Sequence, residues 1–305
     1  MDKEIKKEDK KEVKKTLIIG GDGFIGRRLA EQLKVTGKSF LATSRRKKNS
    51  KKNYFDLLKT KIVPNWDNYD VVFICAGMTS YDKCEAQKTL SRKINVIGIK
   101  RLILSLKKTK AFVIYYSSSC VYNGNRKYHK ETDKLVPLSE YSRQKVTIEK
   151  YIKENIKEYA IIRVGKVVNE AFPILSKWHE EIYEKRPITA YNDFTLSPIL
   201  CDELIKISLQ IANERINGVF NVSARTQVSY YTVAKAFCQK MNYKNVPIQK
   251  LKASEDLALK NIAKRHSVLS TAHLRKKLGI KSMSAKEVIN KILHLYKTKY
   301  LERLN

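Results

Sequence analysis

Tyr141 and Lys145 stand four residues apart, a spacing that sets both side chains on one face of a helix. An isolated tyrosine titrates at about 10. A neighbouring ammonium group lowers that value and makes the hydroxyl a usable acid or base at neutral pH. The same Y-x-x-x-K spacing recurs at Tyr231 and Lys235, as a chain with 17 tyrosines and abundant lysine produces by composition alone. Position separates the two pairs. Tyr141 opens a helix after the Ser-rich strand end Ser117-Ser118-Ser119. Tyr231 lies in a mixed second half, where no dinucleotide is expected to reach.

Gly20-Gly21-Asp22-Gly23-Phe24-Ile25-Gly26 is a G-x-x-G-x-x-G loop between a strand and a helix. Gly20 permits the tight turn, Gly23 lets backbone approach a pyrophosphate, and Gly26 lets the helix pack on the strand. Phe24 and Ile25 open a helix whose free N–H groups and positive dipole end attract an anion. The loop predicts a bound dinucleotide. In such folds an Asp or Glu about twenty residues further on bonds the adenine ribose and repels a 2′-phosphate. Here the second strand runs Phe40 to Thr43 and ends at Ser44-Arg45-Arg46, with no carboxylate. Ser44 can donate a hydrogen bond, and Arg45 or Arg46 can grip a phosphate with a charge-assisted fork. NADP(H) is therefore expected in preference to NAD(H). Asp56 lies too far along the chain to be the ribose carboxylate, but it can approach the adenine.

Buried strands must carry these groups. Thr16–Ile19, Phe40–Thr43, Val71–Cys75, Ala111–Tyr116 and Tyr159–Val164 are short apolar runs of that kind. Between them, helical spacing covers Ile25–Leu33, a long stretch Glu85–Lys108, and Ser139–Asn155. The alternation predicts an α/β fold, a Rossmann-type doubly wound parallel sheet. After Gly165 the alternation weakens. Helices are expected at Ala171–Glu184, Cys201–Ala212, Ser229–Met241 and Ser284–Tyr296, and a strand at Gly218–Val222. The expected organisation is a charged flexible tail at 1–14, a dinucleotide-binding domain at 15–165, and a smaller mixed α/β substrate lobe at 166–305, partly interleaved with it.

The 305 residues carry 62 Lys and Arg against 30 Asp and Glu, a net charge of +32. The positive charge is spread along the chain and no RNA-binding motif accompanies it, so nucleic acid is disfavoured. An attraction for anionic substrates is the simpler consequence. Cys75, Cys84, Cys120, Cys201 and Cys238 form no C-x-x-C pair, and the five histidines are scattered. No metal site and no disulfide framework is expected. No apolar run is long enough to cross a bilayer and no secretory signal is visible, which points to a cytoplasmic location.

At several points the chain resembles the extended short-chain dehydrogenases/reductases. The glycine loop is similar to T-G-x-x-G-F-I-G, with Ile19 in place of Thr. Cys75-Ala76-Gly77-Met78-Thr79 is similar to N-A-A-x-T, and Asn95-Val96-Ile97-Gly98 to N-V-x-G. Ser117–Tyr122 resembles S-S-x-x-V-Y, and Ile162–Gly165 resembles I-R-x-G. Leu196–Leu204, Gly218–Ser223 and Arg265–Leu274 resemble the dTDP-4-dehydrorhamnose reductase branch. The resemblance implies that Ala76 and Gly77 help to bind the cofactor. It implies that Ser118 hydrogen-bonds the substrate oxygen, that Tyr141 donates the proton, and that Lys145 also holds the nicotinamide ribose. Asn95 is expected to bond backbone within its own helix, and Arg163 to form a core ion pair.

What the resemblance implies is an NADP(H)-dependent reductase of a keto group on a nucleotide-linked sugar, of the kind used for bacterial surface polysaccharides. The expected partner is the nucleotide sugar, and a homodimer is compatible with it. Cys120 resembles the cysteine of GDP-fucose synthases, which leaves a nucleotide-sugar epimerase as an alternative. Their matching histidine is missing, since His179 stands several residues too late. Ser119 and Cys120 replace the acidic pair of the 4,6-dehydratases, so dehydration is disfavoured. A further alternative is a non-enzymatic relative, either a dinucleotide-binding regulator like the beta subunit of methionine adenosyltransferase or an RNA-binding protein. Lys166 replaces the aromatic residue usual in the rhamnose reductases, so base and sugar do not carry over.

Overall fold

Each apolar run between the amphipathic stretches becomes a strand. The computed structural model describes residues 15–46, 53–59, 66–256, 259 and 265–301; the charged run 1–14 lies outside them. The strands are β1 (Thr16–Ile19), β2 (Phe40–Ala42), β3 (Val71–Ile74), β4 (Phe112–Ser118), β5 (Tyr159–Val164), β6 (Lys166–Val168), β7 (Ile188–Tyr191), β8 (Thr195–Leu196), β9 (Pro198–Leu200), β10 (Gly218–Val222), β11 (Val228–Ser229) and β12 (Ile248–Leu251). The helices are α1 (Phe24–Val35), α2 (Tyr81–Ala86), α3 (Lys88–Arg92), α4 (Ile99–Leu106), α5 (Glu140–Asn155), α6 (Pro173–Tyr183), α7 (Cys201–Glu214), α8 (Tyr230–Met241), α9 (Ala272–Leu278) and α10 (Ala285–Leu301).

One parallel sheet runs in the order β10-β5-β4-β3-β1-β2. Successive strand residues face opposite sides, and both sides are covered. Ile18, Phe73, Ile114 and Ile162 enter a core shared with Leu29 and Leu33 of α1 and Leu204 and Ile211 of α7. Leu17, Ile19, Val72, Val113 and Ile161 enter a second core with Leu102 of α4 and Ile148 and Ile152 of α5. Two-sided burial is why these strands read as unbroken apolar runs. Each fully buried Ile or Leu contributes about 1.5–3 kcal/mol. The chain runs outward from β1 to β2, then back through β3 to β4. In such doubly wound sheets the ligand crevice opens at this reversal, at the carboxyl ends of β1 and β3.

The helix expected over Glu85–Lys108 is broken. It divides into α2, α3, a π-helical turn at Lys93–Gly98, and α4. Asn95 in that turn bonds outward, and Gly98 sits so close to the 53–59 segment that a Cβ would lie 2.5 Å from the Leu57 carbonyl oxygen. A π turn re-aims one residue in this way, a device frequent at functional sites.

In the second half β6 pairs with β9, β7 with β12 and β8 with β11. Trp178, Phe237, Val288 and Ile292 form its core. The halves interlock. β10 extends the main sheet beside β5, and α7 packs on α1, where Arg28 pairs with Asp202. Among the described residues, no helix is long and apolar enough to cross a membrane.

Candidate active site

β1 runs into the glycine loop, and α1 starts at Phe24 with Gly23 as its capping residue. Gly20 adopts φ +90°, and a Cβ there would lie 2.8 Å from the Ala76 nitrogen beyond β3. A Cβ on Gly26 would lie 2.2 Å from the Gly20 carbonyl oxygen. The end of β2 fixes the loop, because Gly20 N–H donates to Thr43 Oγ1 at 3.1 Å and Gly21 N–H to the Thr43 carbonyl at 2.8 Å. No side chain caps α1 and no acidic residue stands in its first turn. Nothing there competes with an anion for the first N–H groups. A glycine-rich loop, with Asp22 its one charged side chain, over an uncapped helix start fits a dinucleotide pyrophosphate.

Ser44, Arg45 and Arg46 follow β2. Ser44 Oγ accepts the Arg46 N–H at 3.0 Å, and Arg46 Nε lies 3.4 Å from Asp22 of the glycine loop. Both arginines are exposed. Asp56 lies between β2 and β3, where its carboxylate accepts from Leu58 N–H at 2.9 Å and the Tyr54 hydroxyl at 3.4 Å, closing a turn.

A cleft of about 580 Å³ opens at the carboxyl ends of the central strands. It brings together Gly23, Phe24, Ile25, Ala76, Gly77, Ser118, Tyr141 and Lys145. Gly20 and Gly26 lie outside its lining, as do Ser44, Arg45, Arg46 and Asp56. Tyr141 is the second residue of α5, and a reciprocal cap fixes that helix start. Ser139 Oγ accepts Ser142 N–H at 3.2 Å, and Ser142 Oγ accepts Ser139 N–H at 2.9 Å. Beside it, buried Glu140 accepts from Arg92 at 2.6 Å and from Gln144 at 2.9 Å. The Arg92 hydrogen bond is the main cause that draws the Glu140 carboxyl down to about 2.

Lys145 Nζ donates to the Tyr116 carbonyl at 2.7 Å and lies 5.5 Å from the centre of the Tyr141 ring. Burial pulls Lys145 down to about 8. Burial also pushes Tyr141 well above the usual tyrosine range. The expected lowering of Tyr141 by Lys145 is thus overturned, because desolvation outweighs the nearby cation. Tyr141 is therefore a neutral phenol at pH 7, which holds a proton but is a weaker acid than an ordinary tyrosine. Ser118 Oγ accepts Cys120 N–H at 3.2 Å, whereas Ser117 Oγ is committed to Glu149.

Three aromatic residues at this cleft escaped the sequence reading. Tyr81 of α2 meets Tyr141 edge-on, with ring centres 5.2 Å apart, and lines the cleft beside Ser118. Its one sequence signal is Ser80, the N-cap that starts a helix directly after the β3 crevice loop. Phe194 and Tyr230, with ring centres 5.2 Å apart, face the cleft from the second half. Tyr231 and Lys235 stay outside its lining, the ammonium 4.9 Å from the centre of its own tyrosine ring.

Asn95 corrects the expectation of bonds within its helix. Its Nδ2 donates to the Met78 carbonyl at 2.8 Å and to Gln144 Oε1 at 2.7 Å, while Oδ1 accepts Met78 N–H at 2.7 Å. It ties the loop after β3 to the helix that carries Tyr141. Arg163 forms the expected core pair, with Nη2 2.6 Å from Glu149 Oε2 and both side chains 1% exposed. Cys120 is buried against Cys84 and Tyr141, outside the cleft lining. Among the described residues no group of three or more His, Cys, Asp or Glu could hold a metal ion.

One family's sequence model, described as the RmlD substrate binding domain, matches residues 14–298. The chain is 24% identical to the spore coat polysaccharide biosynthesis protein SpsK of Bacillus subtilis over 283 residues, 92% of this chain and 96% of that protein. It is 23% identical over 250 residues to methionine adenosyltransferase 2 subunit beta of Rattus norvegicus, 75% of this chain and 72% of that protein. It superposes with a TM-score of 0.79 and 20% identity on dTDP-4-dehydrorhamnose reductase of Bacillus anthracis, a structure in complex with NADP, covering 92% of this chain and 97% of that one. With the family model covering nearly the whole sequence, the chain belongs to the RmlD substrate binding domain family.

Proposed function

We propose that the protein is an NADP(H)-dependent reductase of a keto group on a nucleotide-linked sugar. The observation that carries the reading is one cleft lined by Ser118, Tyr141 and Lys145 together with the glycine loop that opens α1. The dinucleotide supplies hydride to the keto carbon when bound. Gly20, Gly23 and Gly26 shape the backbone for its pyrophosphate, Ala76 and Gly77 border it, and Ser44, Arg45 and Arg46 serve its adenosine end. Lys145 holds the nicotinamide ribose. Ser118 hydrogen-bonds the substrate oxygen, and Tyr141 delivers the proton that oxygen needs as the carbonyl is reduced. Tyr141 holds that proton at pH 7, and Lys145, with Nζ 5.5 Å from its ring centre, favours the phenolate left behind.

The burial of Cys120 outside the cleft speaks against an epimerase that uses this thiol. The kinship with methionine adenosyltransferase subunit beta favours a second reading, a dinucleotide-binding regulator without turnover. Mixing the protein with NADPH and a nucleotide-linked 4-keto-6-deoxyhexose separates the two. The reductase oxidises NADPH stoichiometrically with the sugar. A protein that binds NADPH and leaves it unoxidised with such sugars is a regulator instead.

A further inference from the structure

Among the described residues two charged side chains line the cleft, and both are lysines. Lys145 is held by the Tyr116 carbonyl, and the other is Lys166. No Asp or Glu is among the described lining residues. Lys166 heads β6 on a fixed backbone. It pairs in register with Pro198, and the preceding Gly165 N–H donates to the Val222 carbonyl at 2.9 Å. A Cβ on Gly165 would lie 2.4 Å from the Ser197 carbonyl oxygen, so the turn into β6 has one course. The Lys166 side chain passes Phe172 with Nζ 5.9 Å from the ring centre. Lys166 is an exposed residue of the cleft, and neighbouring atoms partly desolvate its ammonium and lower its pKa. A cation placed this way adds little to the fold and is a ready receptor for an anion.

The cleft adjoins a second depression of about 680 Å³ through the shared residue Thr195. Lys127, Lys252 and Arg265 line it together with Asp193, and Lys252 Nζ lies 2.8 Å from Glu255 Oε1. Lys127 and Arg265 can serve a diphosphate without Lys166, which leaves Lys166 for an anionic group nearer Tyr141. We propose that Lys166 is a specificity-determining residue that binds an anionic oxygen group of the substrate, foremost a carboxylate on the sugar ring. The assignment rests on reading the cleft as a nucleotide-sugar site.

Calorimetry on the full chain, with and without NADPH, tests it using UDP-glucuronate and UDP-glucose. The two probes differ only in a carboxylate against a hydroxymethyl group. UDP-glucuronate should bind at least about tenfold more tightly, a difference that one charge-assisted hydrogen bond supplies. Lys166→Met should erase that difference and Lys166→Arg should keep it, with thermal melts showing both variants folded. Equal weakening of both probes by Lys166→Met assigns the cation to the diphosphate, the other source of the same anionic oxygens. Unchanged affinity for both probes, or a loss confined to NADPH, overturns the proposal. So does a parent protein that binds neither probe. Failure of the reductase reading is a separate outcome, judged by NADPH oxidation with a nucleotide-linked keto sugar and not by these affinities.

Discussion

Tyr141 and Lys145 share a helix face, and burial drives them the same way, towards their neutral forms. For Lys145 this has a consequence in stability. It titrates at about 8 in the folded chain against the ordinary lysine value of 10.5. Between these values the unfolded chain binds the extra proton, so stability rises with pH across that window. Below about 8 the buried ammonium is a cost. Lys145→Met is therefore expected to raise Tm at neutral pH and to flatten the rise from pH 8 to 10.5. A variant whose Tm tracks the parent across the window contradicts the account. At the cofactor's other end, the proposed preference for NADPH rests on Arg46, beside Asp22, and the exposed Arg45. Arg45→Ala and Arg46→Ala should together lower the NADPH-over-NADH affinity ratio by about tenfold. Equal affinity for the two cofactors in the parent would defeat this. The paired Tyr141 and Lys145 were legible because helical spacing is local. Tyr81 was not, because its place beside Tyr141 depends on the fold of a loop some sixty residues away in sequence.

At the scale of elements, the strands were legible wherever both faces are buried. β1 and β3 read as apolar runs because Leu17 and Val72 face one core while Ile18 and Phe73 face the other. β8 and β11, two residues each, show no period to read. The break in the 85–108 helix was hidden for another reason. Asn95 finds its partners 17 and 49 residues away, at Met78 and Gln144, so the cause of the π turn is tertiary. The junction of β1 and α1 makes the most direct demand on one residue. Gly26→Ala places a methyl group 2.2 Å from the Gly20 carbonyl oxygen, and backbone cannot yield as a flexible side chain can. NADPH affinity should fall at least about tenfold while far-UV circular dichroism stays native. Retained affinity would show that the loop tolerates a wider turn.

Across the whole molecule, one buried network joins the two halves. Glu149 of α5 meets Arg163 of β5, Arg163 Nη1 donates to the Tyr122 hydroxyl at 2.6 Å, and that hydroxyl lies 3.3 Å from Asn221 Oδ1 on β10. Arg163→Met strands the Glu149 carboxylate in the core. That should cost about 3–5 kcal/mol in denaturant unfolding; a loss under about 1 kcal/mol would mean the pair is dispensable. The network keeps β10, and the lobe that follows it, registered on the sheet that carries Ser118. The cleft then has one wall from each half, Tyr141 on one side and Phe194 with Tyr230 on the other. Proton delivery by Tyr141 into that cleft is the central claim. The most direct measurement is NADPH oxidation by Tyr141→Phe with a nucleotide-linked keto sugar, alongside NADPH binding by the same variant. Turnover should fall at least about a hundredfold below the parent with NADPH affinity nearly unchanged. Turnover above about a tenth of the parent rate would contradict it.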